Sequence, residues 1–333
     1  MSDRDSVTKE YMQDSAVFAD AFNFLIYGGE QVIKPEQLRP LDTASVALPY
    51  IVGGRPEPVQ RYRDVLKSVT AMEDGRAAYL LLGIENQSQL HYAMPVRNML
   101  YDAMQYVTQA EETARSHRTE DKMPETRAEF LSGFYKTDRL IPVITLTLYF
   151  GADRWTAPRD LHGMLTADEK ILEFVDNYHL HLIAPADIAD EDFARFHTEL
   201  SLALKYVKYS KDKNRLVQIV SEDDAYRSVS RRTADMVNIV TNSNLRYPEG
   251  KGDVDMCEAI EGIRNDGRNE GRLEGRLEGR LEGRLEGITE GIQKGMLRTL
   301  FELVRKKLLT VDQAAEEAKM TVQEFEKKTE ELK

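Results

Sequence analysis

The sequence predicts a mixed α/β protein with an α-helical carboxyl-terminal extension. Three observations support this fold class: a hairpin signal at Asp74-Gly75, a β-branched apolar run over 141–151, and helical periodicity in the segments around them. The order helix, hairpin, helix, strand and helices is typical of a mixed sheet flanked by helices. Composition agrees, because 41% hydrophobic and 31% charged residues are ordinary for a globular chain.

Charge and composition narrow the classes of function. The sequence contains no run of about 18 apolar residues, so no membrane-spanning helix is predicted. The charged amino terminus does not have the pattern of a secretory signal. The single cysteine, Cys257, cannot form an internal disulfide, so we expect a reduced, cytoplasmic protein without a membrane partner. The net charge of −12 argues against coating nucleic acid by bulk attraction, and it favours a local acidic site that holds a metal.

The first quarter of the chain alternates apolar segments with loops. Residues 11–30 carry apolar side chains at helical spacing and end near two glycines, so one helix is predicted there. Five prolines within 35–58 predict an irregular loop. The runs 61–71 and 77–88 form the predicted hairpin, because an Asp-Gly pair suits the positive φ that both positions of a tight turn require.

The middle of the chain predicts a long α/β segment. Pro95 suits the first turn of a helix, and the polar run 109–130 is predicted to be a solvated excursion. The run 141–151 is β-branched, apolar and ended by glycine, which is typical of a buried central strand. Residues 180–184 predict one more strand, and 190–245 predict helices.

A glycine repeat dominates the carboxyl-terminal part. From Gly267 to Gly295 a glycine recurs at every fourth residue, and four units over 271–286 are identical Gly-Arg-Leu-Glu. Glycine costs about 1 kcal/mol inside a helix, and like charges lie four residues apart, so an isolated helix should be poor. Two antiparallel or staggered copies could set an Arg column against a Glu column around a leucine seam, with right-handed supercoiling. A flexible spacer is an equally good interpretation.

The tail and the division of the chain follow from the same patterns. An amphipathic helix is predicted over 296–309, and capping-box signatures at Thr310 and Thr321 predict two short helices over 311–319 and 322–332. Three short helices are similar to a helix-turn-helix unit, but without a basic face an oligomerisation or docking bundle is favoured. We expect a homo-oligomer that assembles through the repeat and the tail. The predicted divisions are a core over 1–215, a helical connector over 216–261, the repeat over 262–295 and the tail over 296–333.

The predicted hairpin brings two carboxylates together. If the turn is centred between Asp74 and Gly75, paired residues have numbers that sum to 149, which sets Asp64 opposite Glu85. Two such carboxylates repel unless a proton or a cation lies between them, so a hard divalent cation, Mg²⁺ or Mn²⁺, is predicted. Gln87 points to the same side as Glu85. The alternative is an exposed hairpin with solvated carboxylates, which the apolar strand before Glu85 argues against.

These residues resemble a known family of nucleases. Asp64, followed past the turn by Glu85-x-Gln87 behind an apolar strand, resembles the PD-(D/E)xK nuclease superfamily. Within it the chain is similar to the Rpn recombination-promoting nucleases, also called YhgA-like transposases, over about residues 14–215. The supporting segments are RDVLK, GIENQS, MPVRNMLYD, ITLTLYFG with Trp155, and the glycine-spaced charged repeat. The resemblance implies a restriction-endonuclease-like core with a mixed sheet.

The resemblance also implies an activity and a set of site residues. It implies a Mg²⁺-dependent DNA endonuclease whose metal is bound by Asp64, Glu85 and the backbone carbonyl of Asn86. Gln87 lies where many relatives have lysine, and glutamine can only hydrogen-bond the hydroxide or phosphate that lysine also attracts by charge. Asp20, on the first helix, could supply an accessory acidic group, and an exposed helix carboxylate is the alternative.

Two residues on the helix after Glu85 complete the predicted site. Arg97 and Tyr101 are four residues apart, so Arg97 could contact a DNA phosphate or the metal-bound carboxylate while Tyr101 supports it. Surface packing is the alternative interpretation. The leading hypothesis is a DNA endonuclease that promotes recombination or acts with a mobile element. The second is a catalytically weak DNA-binding or oligomerising interaction protein. True transposition would need recognition of specific ends and strand transfer, and no motif indicates either.

Overall fold

The computed structural model of the chain describes residues 3–41, 69–84, 92–119, 123–248, 250 and 252–330. Over these residues the protein is α/β, as predicted, with a five-stranded mixed sheet, helices packed on the sheet and a carboxyl-terminal helical region. The strands lie across the sheet in chain order: β1 (Arg39–Pro40), β2 (Val69–Glu73), β3 (Ala78–Ile84), β4 (Val143–Tyr149) and β5 (His181–Ile183).

The helix predicted over 11–30 is confirmed, with its end at the predicted glycines, but it begins later than Tyr11. Two helices occupy this part of the chain, α1 (Asp3–Met12) and α2 (Ser15–Tyr27). They separate at Asp14, whose side chain accepts hydrogen bonds from backbone N–H groups in the first turn of α2 and so caps that helix. α2 ends at Gly28, which has a φ of 62°. The capping aspartate therefore sets the start of the predicted helix, and Tyr11 and Met12 belong to the helix before it.

The predicted hairpin is confirmed over 69–84, whereas residues 61–68 and 85–88 of its two runs lie outside the described chain, and its register is different from the one expected. β2 and β3 pair so that residue numbers sum to 151, as in Glu73 with Ala78, and not to 149. The loop 74–77 has four residues, and the Asp74 carboxylate accepts hydrogen bonds from the N–H groups two and three residues farther along. Among the described residues of this loop only Gly75 has a positive φ, 78°. A side-chain turn at Asp74 thus replaces the two-residue turn that the prediction assumed.

Helix α3 (Met94–Thr119) is longer than predicted, and α4 (Arg127–Ser132) follows it. Much of the solvated excursion predicted over 109–130 is helical, and nearly all of its described side chains are exposed or half-buried, as a solvated segment requires. Some of its polar residues also make tertiary contacts. Gln109 illustrates this: its Oε1 accepts from the Ile141 N–H at 2.9 Å, and its Nε2 donates to the Ile141 carbonyl at 3.3 Å. These two bonds hold the chain immediately before β4.

β4 is a buried strand, as predicted, and it has hydrophobic clusters on both faces. Leu146 and Leu148 pack with residues of α1 and α2, whereas Tyr149 packs with residues of α3 and with Trp155. β1, β2 and β3 pair in antiparallel fashion, and β3, β4 and β5 in parallel. β5 confirms the strand predicted at 180–184. The carboxyl ends of the three parallel strands therefore meet at one edge of the sheet.

The helices predicted over 190–245 are present and pack in the hydrophobic cluster that contains Leu146 and Leu148. Leu204, Val220 and Met236, from three of these helices, are each almost entirely buried. The helices after β4 are α5 (Glu169–Leu172), α6 (Leu200–Tyr209), α7 (Lys213–Glu222), α8 (Arg231–Thr241), α9 (Met256–Arg305), α10 (Val311–Glu317) and α11 (Val322–Glu330).

The chain divides into two compact units, Met1–Gly262 and Ile263–Lys333. In the first unit, Val220 and Val254, from the segment predicted as a connector, pack in the same cluster as Leu146 and Leu148. In the second unit the glycine repeat is helical, as part of α9, so of the two interpretations of the repeat the helix is the one observed.

The end of the second unit is a small helical bundle. Capping boxes at Thr310 and Thr321 begin α10 and α11, as predicted. Apolar side chains of the two short helices pack with those at the end of α9 in a separate cluster. α9 extends without a break from the repeat to Arg305, so the segment predicted as an amphipathic helix over 296–309 is largely the end of this longer helix.

Candidate functional site

Hydrogen bonds fix the direction of α3 along β4. Three successive turns of α3 each contribute one polar atom that bonds to β4. From each turn to the next, the bonded residue of β4 lies two positions closer to the amino end of the strand. These bonds are Asn98 Nδ2 to Thr147 Oγ1 (2.9 Å), Thr145 Oγ1 to Asp102 Oδ1 (2.6 Å) and Val143 N to Tyr106 Oη (3.0 Å). The spacings match, because four helical residues and two strand residues both rise about 6 to 7 Å. α3 therefore begins beside the carboxyl end of β4.

This arrangement defines the candidate site. Ile84, the last residue of β3, pairs with Tyr149, the last residue of β4. We call the region formed by the carboxyl ends of β3, β4 and β5 and the first turns of α3 the carboxyl edge. Open α/β sheets bind ligands at such an edge, and the amino terminus of a helix there favours anions such as phosphate.

Four of the predicted site residues lie outside the described part of the chain. They are Asp64, Glu85, Asn86 and Gln87, the proposed metal ligands and the residue in the lysine position. Their prediction is therefore neither confirmed nor contradicted. What the structure does show is the strand before them, since β3 ends one residue before Glu85.

Arg97 and Tyr101 contact each other as their spacing predicts. Arg97 Nε donates a hydrogen bond to Tyr101 Oη at 2.6 Å, and the guanidinium carbon lies 5.7 Å from the centre of the tyrosine ring. Tyr101 is fully buried in the cluster on the α3 face of the sheet, and Arg97 is half-buried. A buried tyrosine therefore positions this arginine in the first turns of α3, at the carboxyl edge.

Three buried polar atoms near the carboxyl edge have no hydrogen-bond partner among the described residues. They are Asn98 Oδ1, Tyr149 Oη and Trp155 Nε1. Tyr149 and Trp155 form an edge-to-face pair with ring centres 5.4 Å apart. Burial, with a smaller effect of the Asp153 charge, raises the pKa of Tyr149 to about 12, so its hydroxyl stays protonated. Each of these atoms is therefore free to bind a water or ligand atom at the carboxyl edge, as are four other buried atoms elsewhere in the described chain.

Asp102 lies at the centre of a second polar group, deeper along α3. Its two oxygens accept hydrogen bonds from the hydroxyls of Thr145, at 2.6 Å, and Tyr178, at 2.7 Å. Burial raises the pKa of Asp102, and the two hydrogen bonds act against this rise. Burial also raises the pKa of Tyr178, as does the neighbouring Asp102 charge. The group joins α3, β4 and the segment before β5 by polar contacts between side chains.

Asp20 lies in a different place and makes a different set of contacts. Its side chain is 1% exposed and accepts hydrogen bonds from the backbone N–H groups of His197 and Thr198 and from the Thr198 hydroxyl at 2.6 Å. These donors ring both carboxylate oxygens and hold the segment that leads into α6. The contacts show a structural use for Asp20, and the exposed helix carboxylate considered as its alternative is wrong. Its accessory role in metal binding stays a prediction.

Several polar residues of this region were not found by the reasoning from sequence. Asn98 and Asp102 are the main ones, with Thr145 and Thr147 as their partners. A signal was present in each segment: the two polar residues of α3 are four positions apart, and the two threonines alternate with leucine in an apolar strand. Either signal alone has an ordinary explanation, and only the pairing of helix with strand joins them.

Neither a metal cluster nor a membrane span is evident where the chain is described. Within those ranges no group of three or more His, Cys, Asp or Glu side chains could hold a metal ion. The proposed ligands lie beyond them. No described helix is both long and apolar enough to cross a membrane.

The fold defines the class of the protein: an α/β protein with a mixed sheet whose parallel strands end beside the start of α3. Residues 59–226 match the family model described as "Putative transposase, YhgA-like". The match covers half of the chain, and the chain belongs to this family. A comparison with curated proteins and with solved structures finds no match.

Proposed function

We propose that this chain is a cytoplasmic, metal-dependent DNA endonuclease that hydrolyses phosphodiester bonds and acts in recombination or with a mobile element. The family description supports an action on DNA. The observation that carries the proposal is the position of strand β3 directly before Glu85. This strand is apolar, and its residues belong to the hydrophobic clusters on both faces of the sheet. A carboxylate at the end of such a strand is costly without a partner, and a bound cation supplies one.

Asp64 remains the expected partner of Glu85 under the observed register. If β2 and β3 continued with the observed register, both side chains would lie on the same face, because the sums 149 and 151 differ by two. The two carboxylates would then be diagonal neighbours, about 7 to 8 Å apart at the backbone. Side chains at that separation can still share one cation with oxygen ligands.

The chemistry follows from the types of residue at this edge. A Mg²⁺ or Mn²⁺ ion bound by Asp64, Glu85 and the Asn86 carbonyl would polarise the scissile phosphate and lower the pKa of a bound water. Gln87 would orient the attacking hydroxide by a hydrogen bond. Arg97, held by the buried Tyr101, would bind a phosphate of the DNA beside the amino terminus of α3.

Plasmid nicking tests the proposal. Supercoiled plasmid would be incubated with the purified full-length protein and Mg²⁺, alongside the isosteric variants Asp64→Asn and Glu85→Gln. We expect nicking by the parent protein and at least 100-fold less by both variants, because each loses a metal-binding charge. Glu36→Gln is the matched control, since this exposed glutamate lies in a short turn before β1 and should not affect the rate.

Two results separate this proposal from the alternative, a catalytically weak DNA-binding or oligomerising protein. Equal nicking by the parent and both site variants would show a contaminating nuclease and refute the assignment. Retained binding of DNA in a gel-shift assay with no nicking by any variant would favour the alternative. Gln87→Lys gives a further test, because a lysine would add a positive charge for the phosphate and should raise the nicking rate.

A further inference from the structure

The glycine repeat in α9 leaves one apolar face without a partner in the described chain. The exposed residues Leu273, Leu277, Leu281, Leu285, Ile288 and Ile292 follow one another at steps of four, four, four, three and four. Between 50% and 66% of each of these side chains is exposed. We call these six residues the leucine seam. Such a contiguous apolar surface on a helix calls for a protein partner.

The repeat also lacks internal support for a helix. Seven glycines from Gly271 to Gly295 lower its helix propensity, and a Cβ at any of them would meet nothing within 4 Å. Over 271–286 each Arg is four residues from the next Arg, and each Glu from the next Glu, so neighbours on the helix surface repel. No Arg and Glu of these four units are three or four residues apart. A helix of this composition needs contacts from outside to be stable.

The charges of the repeat identify what covers the seam. Every leucine of the four units follows an Arg and precedes a Glu, so Arg lies about 100° to one side of the seam and Glu about 100° to the other. When two parallel helices face each other through the seam, the flank formed by the residues before each leucine on one helix lies against the flank formed by the residues after each leucine on the other, as in parallel coiled coils. Arg then meets Glu on both flanks.

An antiparallel pair gives the opposite result. There the preceding sides of the two helices meet each other, so Arg faces Arg and Glu faces Glu along the whole repeat. Antiparallel pairing, one of the arrangements expected from the sequence, is therefore disfavoured by charge. The glycines lie about 200° from the leucines, on the far side of the helix, so they do not form the packing contact.

We propose that the leucine seam is the interface between two copies of this chain, which pair in parallel and in register along α9. The mean step of the seam is greater than 3.6 residues, so the pair winds in a right-handed sense. The step of three between Leu285 and Ile288 offsets the rotation that the steps of four accumulate, which keeps the seam on one side of the helix. This inference concerns assembly and does not depend on the proposed nuclease activity.

Cysteine cross-linking of the full-length protein tests the orientation. Cys257→Ser removes the one native thiol and keeps a hydrogen-bond donor for the Val220 carbonyl. In this background Leu273→Cys and Leu285→Cys are made separately. In a parallel pair each variant alone should form a covalent dimer under mild oxidation. In an antiparallel pair with its centre midway between these positions, only a mixture of the two variants would do so, because identical cysteines would be about 18 Å apart.

Leu308→Cys is the matched control, because this leucine is also exposed but lies outside the seam. It should give no covalent dimer at the same protein concentration. Cross-linking only in the mixture would overturn the parallel arrangement. A parent protein that sediments as a monomer at micromolar concentration would overturn the interface altogether.

A charge test supplies a second, independent readout. One variant replaces the four Glu residues of the units by Arg, and the other replaces the four Arg residues by Glu. Each alone should dimerise at least tenfold more weakly and lose helical circular dichroism, and mixing them should restore both. Unchanged dimerisation of either variant alone would contradict the role of these charges, whatever the outcome of the nicking assay.

Discussion

Replacing Asp20 by alanine should destabilise the first unit by about 4 kcal/mol. The carboxylate accepts two backbone N–H groups and one hydroxyl in a fully buried position. Each amide left without an acceptor costs about 1 to 3 kcal/mol, and the Thr198 hydroxyl adds less because it can rotate toward another acceptor. A loss of this size lowers the melting temperature of a domain of this length by about 10 °C.

Urea unfolding followed by the fluorescence of Trp155, the one tryptophan, measures this change. Asp212→Ala is the matched control, since that exposed aspartate caps α7 by accepting one N–H and its loss should cost about 1 kcal/mol. A cost for Asp20→Ala no larger than that of the control would refute the reasoning. Nicking by the folded variant at low temperature would assign Asp20 to the fold, whereas loss of nicking with unchanged stability would assign it to the metal site.

Three further outcomes are expected from the described contacts. Burial raises the pKa of Asp102 above its unfolded value of 3.8, so its contribution to stability is present at low pH and is lost as the pH rises through the folded pKa. Asp102→Asn should remove this pH dependence when unfolding is measured at several pH values. An unchanged pH profile in the variant would contradict the prediction. Gly151→Ala would place a methyl group on the ring of Tyr149, which should shift the emission of the adjacent Trp155 and cost about 1 to 3 kcal/mol, and identical spectra would contradict this packing. Thr321→Ala should lower the free energy of unfolding of the second unit by about 1 kcal/mol, because it removes one half of a capping box. Thermal unfolding would support this if Thr321→Ser matches the parent and Thr321→Ala does not.

The local signals in the sequence predicted most of the elements. The capping boxes at Thr310 and Thr321, the hairpin and strand β4 all depend on neighbours within a few residues, and all are confirmed. The register of the hairpin was not predictable from the Asp-Gly pair alone. Two turn geometries compete there, and the Asp74 side chain favours the four-residue loop by accepting two backbone N–H groups.

The candidate site shows the same limit at a longer range. The contact of Arg97 with Tyr101 was predictable because both residues are on one helix face. The bond from Asn98 to Thr147 joins residues 49 positions apart, and no local pattern specifies that pairing. The continuation of α3 past residue 109 has a similar explanation, because Gln109 pairs with the backbone of Ile141, 32 positions away.

The two outermost strands of the sheet have a consequence for how copies of the chain can associate. As described, β1 has two residues, one of them Pro40, and β5 has three. Proline has no N–H to donate, and so few free backbone groups give an incoming strand little to pair with. Within the described part of the chain, β1 and β5 therefore discourage extension of the sheet from molecule to molecule, and the exposed apolar residues of α9 offer a larger surface for association.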